Sequence, residues 1–172
     1  MLKLIGAVFV LTGTVGFALA CKQELYDRLH HTRCLYRLLE LLESEVRYSR
    51  ASLPEACRII SNRIEEPYRT GLQSVWEEMQ ANRGLSFLQV WKIQMEKCLQ
   101  PVATAKKDKL LFLQLADSTG FADCRMQLRA LEQCRELLGQ SIKKQEESME
   151  NKTKVVMSMG LIGGLFLTIV LL

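Results

Sequence analysis

Val155-Val156-Met157-Ser158-Met159-Gly160-Leu161-Ile162-Gly163-Gly164-Leu165-Phe166-Leu167-Thr168-Ile169-Val170-Leu171-Leu172 runs for eighteen residues without a charge or a proline. As a helix it spans about 27 Å, close to the roughly 30 Å hydrocarbon thickness of a bilayer. Lys152 and Lys154 stand just ahead of it, with Lys143 and Lys144 further back. Upstream, Cys124, Leu128, Leu131, Cys134, Leu138 and Ile142 recur at three- and four-residue steps, the spacing of one helix face. The reading is one long helix, packed on a soluble core in its first half and entering a membrane in its second.

The other end mirrors this one. Leu4 to Cys21 is uncharged, between Lys3 and Lys22. Three readings compete for it. Lys3 with Ala18-Leu19-Ala20 resembles a cleaved secretory signal. Ala20-Cys21 resembles a lipoprotein signal, although the leucine usual three before the cysteine is here Ala18. The preferred reading is a retained membrane helix, since the helical pattern continues past Lys22 without a turn signal. The chain then divides into an N-terminal transmembrane helix over 1–21, a helical domain over 22–154 and a C-terminal transmembrane helix over 155–172.

Between the two apolar ends lie 22 of the 23 Lys and Arg and all nineteen acidic residues, a mild net +3. Acids and bases alternate along the expected helices, so this is a solvated surface and not a nucleic-acid stripe. Lys22, Arg28, Arg33, Arg37, Arg135, Lys143, Lys144, Lys152 and Lys154 flank the apolar ends on the inner side, against Lys3 outside. Cytoplasmic segments collect Lys and Arg, which places the domain in the cytoplasm.

The domain reads as all-α, with about six helices. The first runs to about Tyr48, with Leu25, Leu29, Leu35, Leu38, Leu39, Leu42 and Val46 as its apolar stripe. Arg37, Glu40, Glu43 and Arg47 mark its wetter positions. Ser52-Leu53-Pro54-Glu55 has the spacing of a capping box, with proline in the first turn. A second helix follows with Ala56, Ile59, Ile60 and Ile64 buried, ended or kinked at Glu66 by Pro67. The third carries Leu72, Val75, Trp76 and Met79 and stops near Asn82-Arg83-Gly84. Ser86-Phe87-Leu88-Gln89 is another box-like start, to a helix carrying Val90, Trp91, Met95 and Leu99 that ends before Pro101. The fifth covers roughly Lys106 to Ala116 with Leu110, Leu111, Leu113 and Leu115, and Asp117 to Gly120 form a turn. Asp123 then sits in the first turn of the last helix, where a carboxylate suits the dipole.

Enzymatic chemistry finds no foothold. A Walker-type glycine loop, His-Glu-x-x-His and Gly-x-Ser-x-Gly are all missing. Glu65-Glu66, Glu77-Glu78 and Glu146-Glu147 read as surface pairs, and Trp76 and Trp91 as core. Six cysteines occur with no Cys-x-x-Cys, and buried reduced thiols account for them. His30 and His31 read as helix-surface residues without metal ligands at hand, so neither a cofactor nor a metal is expected. Function must reside in surfaces. Arg37, Glu40, Glu43 and Arg47 are the candidate contact surface, and Gly160, Gly163 and Gly164 a candidate packing notch for a neighbouring membrane helix. Whether that neighbour is a second copy stays open.

Leu42-Glu43-Ser44-Glu45-Val46-Arg47-Tyr48, followed by Ser52-Leu53-Pro54-Glu55-Ala56, resembles the stage III sporulation protein AB family of endospore-forming bacteria. Leu115 to Asp123 with Gln127, and the closing Met159 to Gly164, agree with it, with departures at Ala116, Thr119 and Ala122. The residues carrying the resemblance are Glu45, Tyr48, Leu53, Pro54, Glu55, Gly120, Asp123 and Gln127. The resemblance implies a platform-like cytoplasmic domain, similar to that of the inner-membrane platform proteins of type II secretion and type IV pilus systems. It implies a scaffold in the complex joining mother cell and forespore, set in the outer forespore membrane with its domain facing the mother-cell cytoplasm. The implied partners are the other components of that complex, including its secretion-type ATPase. The alternative is an exported or lipid-anchored helical protein.

Overall fold

The apolar steps that begin at Cys124 belong to one unbroken helix. In the computed structural model it is α6, Cys124–Leu171. Its counterpart α1 covers Leu2–Ser44. The structure describes the backbone at residues 2–81, 83–119 and 124–171, and side chains over 22–152 except 82 and 116–124, with a few before them. Between the long helices lie α2 (Leu53–Ser61), α3 (Tyr68–Gln80), α4 (Phe87–Leu99) and α5 (Lys106–Thr119). The described residues contain no strand. All-α architecture with six helices is what the periodicity predicts.

α1 and α6 pack side by side and antiparallel. Arg33 reaches Glu146 at 2.5 Å, Gln145 donates to Thr32 at 3.2 Å, Arg135 donates to Tyr36 at 3.3 Å, and Arg47 meets Glu132. As the numbers climb on one helix they fall on the other, so both helices leave the domain from the same end. The short helices close the opposite side. Leu35, Leu38, Leu39 and Leu42 of α1 and Leu131 and Leu138 of α6 meet Ile60, Tyr68, Leu72, Trp91, Met95 and Phe112 in one core. Trp91 sits at its centre. Its ring lies 5.2 Å from that of Phe112, and its indole N–H donates to the Phe112 carbonyl at 3.4 Å.

Several boundaries differ from the sequence reading. Ser52 does begin α2, with extended backbone, but no capping box forms there. The Glu55 carboxylate turns to the Arg58 guanidinium instead, at 3.1 Å from Nε, and a charge-assisted bond outcompetes a backbone amide. The second box does form: Ser86 accepts from the Gln89 amide while Gln89 accepts from the Ser86 amide at 3.0 Å. α2 stops at Ser61, short of Glu66. The Ser61 hydroxyl bonds back to the Arg58 carbonyl at 2.7 Å, a local bond that competes with helix continuation. α5 runs through Asp117 and Ser118 to Thr119, so the expected turn is helical up to that point; nothing before Gly120 breaks it. α5 buries Asp108, Phe112 and Leu115, and this face leaves Leu110 58% exposed.

Among the described residues, no helix is long and apolar enough to cross a membrane. The expected membrane helices over 1–21 and 155–172 lie almost wholly beyond the described side chains, as do Gly160, Gly163 and Gly164. Gly120 and Asp123 also lie outside the described residues.

Candidate functional site

Where α1 gives out, the chain makes one π-turn, Glu45–Ser49, and Arg50 takes a left-handed conformation with φ 51°. That turn builds the candidate surface. Val46 points into the core, Glu45 is largely covered, Arg47 is exposed, and Tyr48 is left 80% exposed. The Glu45 carboxylate accepts from Ser49 at 2.8 Å and meets Arg63 at 3.2 Å. Leu53, five residues on, is buried.

Four residues were expected to share the surface, and the structure separates one of them. Glu40, Glu43, Arg47 and Tyr48 line one shallow groove together with Arg135 of α6. Arg37 lines a second groove with Arg33 and Arg63. Within the first, Glu43 is the anchor. It accepts from Arg47 at 2.8 Å, and Arg135 Nε lies 3.0 Å from its other oxygen. That second contact is off the line of a hydrogen bond, so its attraction is Coulombic. Arg135 also stacks over the Tyr36 ring at 5.9 Å. The Tyr36 hydroxyl, and after it Glu43, raise the Arg135 guanidinium above its ordinary pKa. Glu43 and Arg47 are therefore occupied inside the molecule, while Glu40 and Tyr48 face water.

The histidines depart from the surface reading. His31 is half-buried, with Nδ1 3.1 Å from the Tyr68 hydroxyl. Burial, then the neighbouring His30, holds it below its usual pKa. His30 stays exposed, but its Nε2 lies 2.9 Å from Glu65. A further feature had no signal in the sequence. Buried Asp108 accepts from Thr32 at 3.2 Å, Ser141 at 3.0 Å and Gln145 at 3.0 Å, which ties α1, α5 and α6 together. Only the meeting of three helices creates that cluster.

Three of the four described thiols match the bland expectation, and Cys34 is only half-buried. Cys57, Cys98 and Cys134 are buried and free, and burial pushes the Cys57 thiol up to about 12. Of the two carboxylates lining the Glu40–Tyr48 groove, Glu43 is matched by guanidinium groups and Glu40 is not. The arrangement suits docking a polypeptide.

The family profile of stage III sporulation protein AB matches residues 3–172. The chain belongs to that family. A stage III sporulation protein AB from Bacillus subtilis (strain 168) is 26% identical over 175 aligned positions, covering all of both chains. A solved structure of stage III sporulation protein AB superposes with a TM-score of 0.65 at 19% identity, covering 72% of this chain and 97% of that one. This likeness supports the fold: the family's helical domain and the antiparallel α1–α6 pair with four short helices are one architecture.

Proposed function

We infer that the chain is a membrane-anchored scaffold of the stage III sporulation complex, its helical domain in the mother-cell cytoplasm and its two apolar ends in the outer forespore membrane. The single observation that carries the docking role is Tyr48. A large aromatic side chain stands in water on the π-turn, at the rim of a groove where Glu43, Arg47 and Arg135 are already paired with one another and Glu40 is left open. Tyrosine is among the residue types enriched at the energetic centres of protein interfaces. Family membership supplies the setting, and the secretion-type motor ATPase is the partner that the platform resemblance implies. Because α1 and α6 leave the domain at the same end, both apolar segments can enter one bilayer, and Gly160, Gly163 and Gly164 then offer a close-packing face to a neighbouring helix.

The test places photo-crosslinking amino acids singly at Arg37, Glu40 and Tyr48 in sporulating cells. Adducts with the complex's ATPase are expected from Glu40 and Tyr48, which share a groove, and fewer from Arg37, which does not. If none of the three positions yields an ATPase adduct, direct coupling is lost.

A further inference from the structure

The second groove carries donors of a different kind. His30 and Cys34 stand four residues apart on α1, one turn apart on one face, the helical spacing that lets two side chains share a metal ion. Glu65, from the segment between α2 and α3, comes over them. Cys34 Sγ is 2.7 Å and His30 Nε2 is 2.9 Å from Glu65 Oε1, and Sγ lies 3.7 Å from Nε2. The three donor atoms lie within 4.8 Å of one another. Bond lengths of 2.0–2.3 Å around a tetrahedral zinc ion put its ligand atoms roughly 3.3–3.6 Å apart. His30 and Cys34 already stand near that spacing at 3.7 Å, and the Glu65 carboxylate, on an exposed side chain, must draw back from the sulfur by up to about 0.8 Å to admit the ion.

We propose that His30, Cys34 and Glu65 form a three-ligand zinc site fastening the 62–67 segment to α1, with the fourth position open to the groove. The donor set selects the ion. One nitrogen, one sulfur and one oxygen suit a borderline-soft ion, whereas magnesium and calcium require oxygen throughout. Charge balances as well, because one thiolate and one carboxylate neutralise the dication. Of the arginines around the groove, Arg33 is paired with Glu146 and Arg63 with Glu45. Arg37 favours the thiolate form of Cys34, against burial and Glu65, which together push the thiol up to about 12. Zinc must displace that proton: the S–H bond breaks, the sulfur lone pair forms the Zn–S bond, and one proton is released to water.

The experiment uses the full chain in detergent micelles, titrated with Co2+ as a spectroscopic stand-in and then with Zn2+. A near-ultraviolet thiolate-to-cobalt band and the intense visible bands of four-coordinate cobalt are expected, both erased by Zn2+. Cys34→Ser should remove the thiolate band, and Glu65→Gln and His30→Gln should each weaken binding at least about tenfold. Zn2+ should also raise the melting temperature of the parent chain but not of Cys34→Ser, with circular dichroism verifying that each variant is folded. The site is refuted if the parent shows no band, if the band survives in Cys34→Ser, or if Glu65→Gln binds as tightly as the parent.

Discussion

Glu43 serves two arginines from a position that is 13% exposed, and no other residue in its groove does so. Its truncation removes the carboxylate nearest the partly buried Arg135 guanidinium, which keeps only its contacts with Tyr36 and the attraction of Glu40. Glu43→Ala should cost about 1–3 kcal/mol, the penalty of stranding a buried polar group, measured by urea denaturation. The two helix starts provide a second comparison. Ser86 accepts a real capping bond from Gln89, so Ser86→Ala should cost about 0.5–2 kcal/mol. Glu55 only pairs with an exposed arginine, and surface pairs contribute little. Glu55→Ala should leave the denaturation midpoint unchanged, and a loss as large as that of Ser86→Ala would mean that Glu55 caps α2 after all.

Between elements, α3 comes close against α4 at Gly71. A Cβ built on Gly71 would lie 2.9 Å from Cys98 Cβ and Sγ and 3.3 Å from Met95 Sδ. The first of these atoms is fixed to the α4 backbone, so the helices themselves must part. Gly71→Ala should therefore destabilise by about 1–3 kcal/mol, as overpacking does, despite alanine's higher helix propensity. A denaturant midpoint at or above the parent's would show that α4 yields freely. What was legible in the sequence divides along the same line. Starts and stops set by local chemistry were readable: Ser86 as a cap, Pro101 beyond α4, and the unbroken face of α6, although α3 is closed by Ala81 and Gly84 takes its φ of 75° three residues further on. Features that exist only where elements meet were not. Nothing near Asp108 announces Thr32, Ser141 and Gln145, which lie on two other helices. Phe112 was hidden among leucines whose spacing fits more than one face, and Glu65 looked like half of a surface pair until the chain folded it over His30 and Cys34. The candidate site was half legible, because exposure of Tyr48 depends on a π-turn and pairing of Glu43 depends on α6.

For the molecule as a whole, the informative measurement is topology. Nine basic residues flank the apolar ends on the domain side, against Lys3 beyond them, and such flanks stay in the cytoplasm. Intact protoplasts treated with trypsin should leave the domain whole. Lysis should expose it, first at Arg50, in its left-handed turn beyond α1, and at Arg83, just past α3. The peptide bearing Met1 should survive in the mature protein. Cleavage without lysis, or a chain beginning at a lipidated Cys21, would favour the exported reading over the scaffold. The continuity of α6 has a mechanical consequence in this setting. A helix without a break has no hinge to absorb rotation, so it acts as a lever whose fulcrum is the domain surface. Tilting it by about 10° near Asn151 swings its far end by about 5 Å, given a rise of about 1.5 Å per residue. Since α1 lies antiparallel along the same flank, a push on the domain would be delivered to both arms in the same direction.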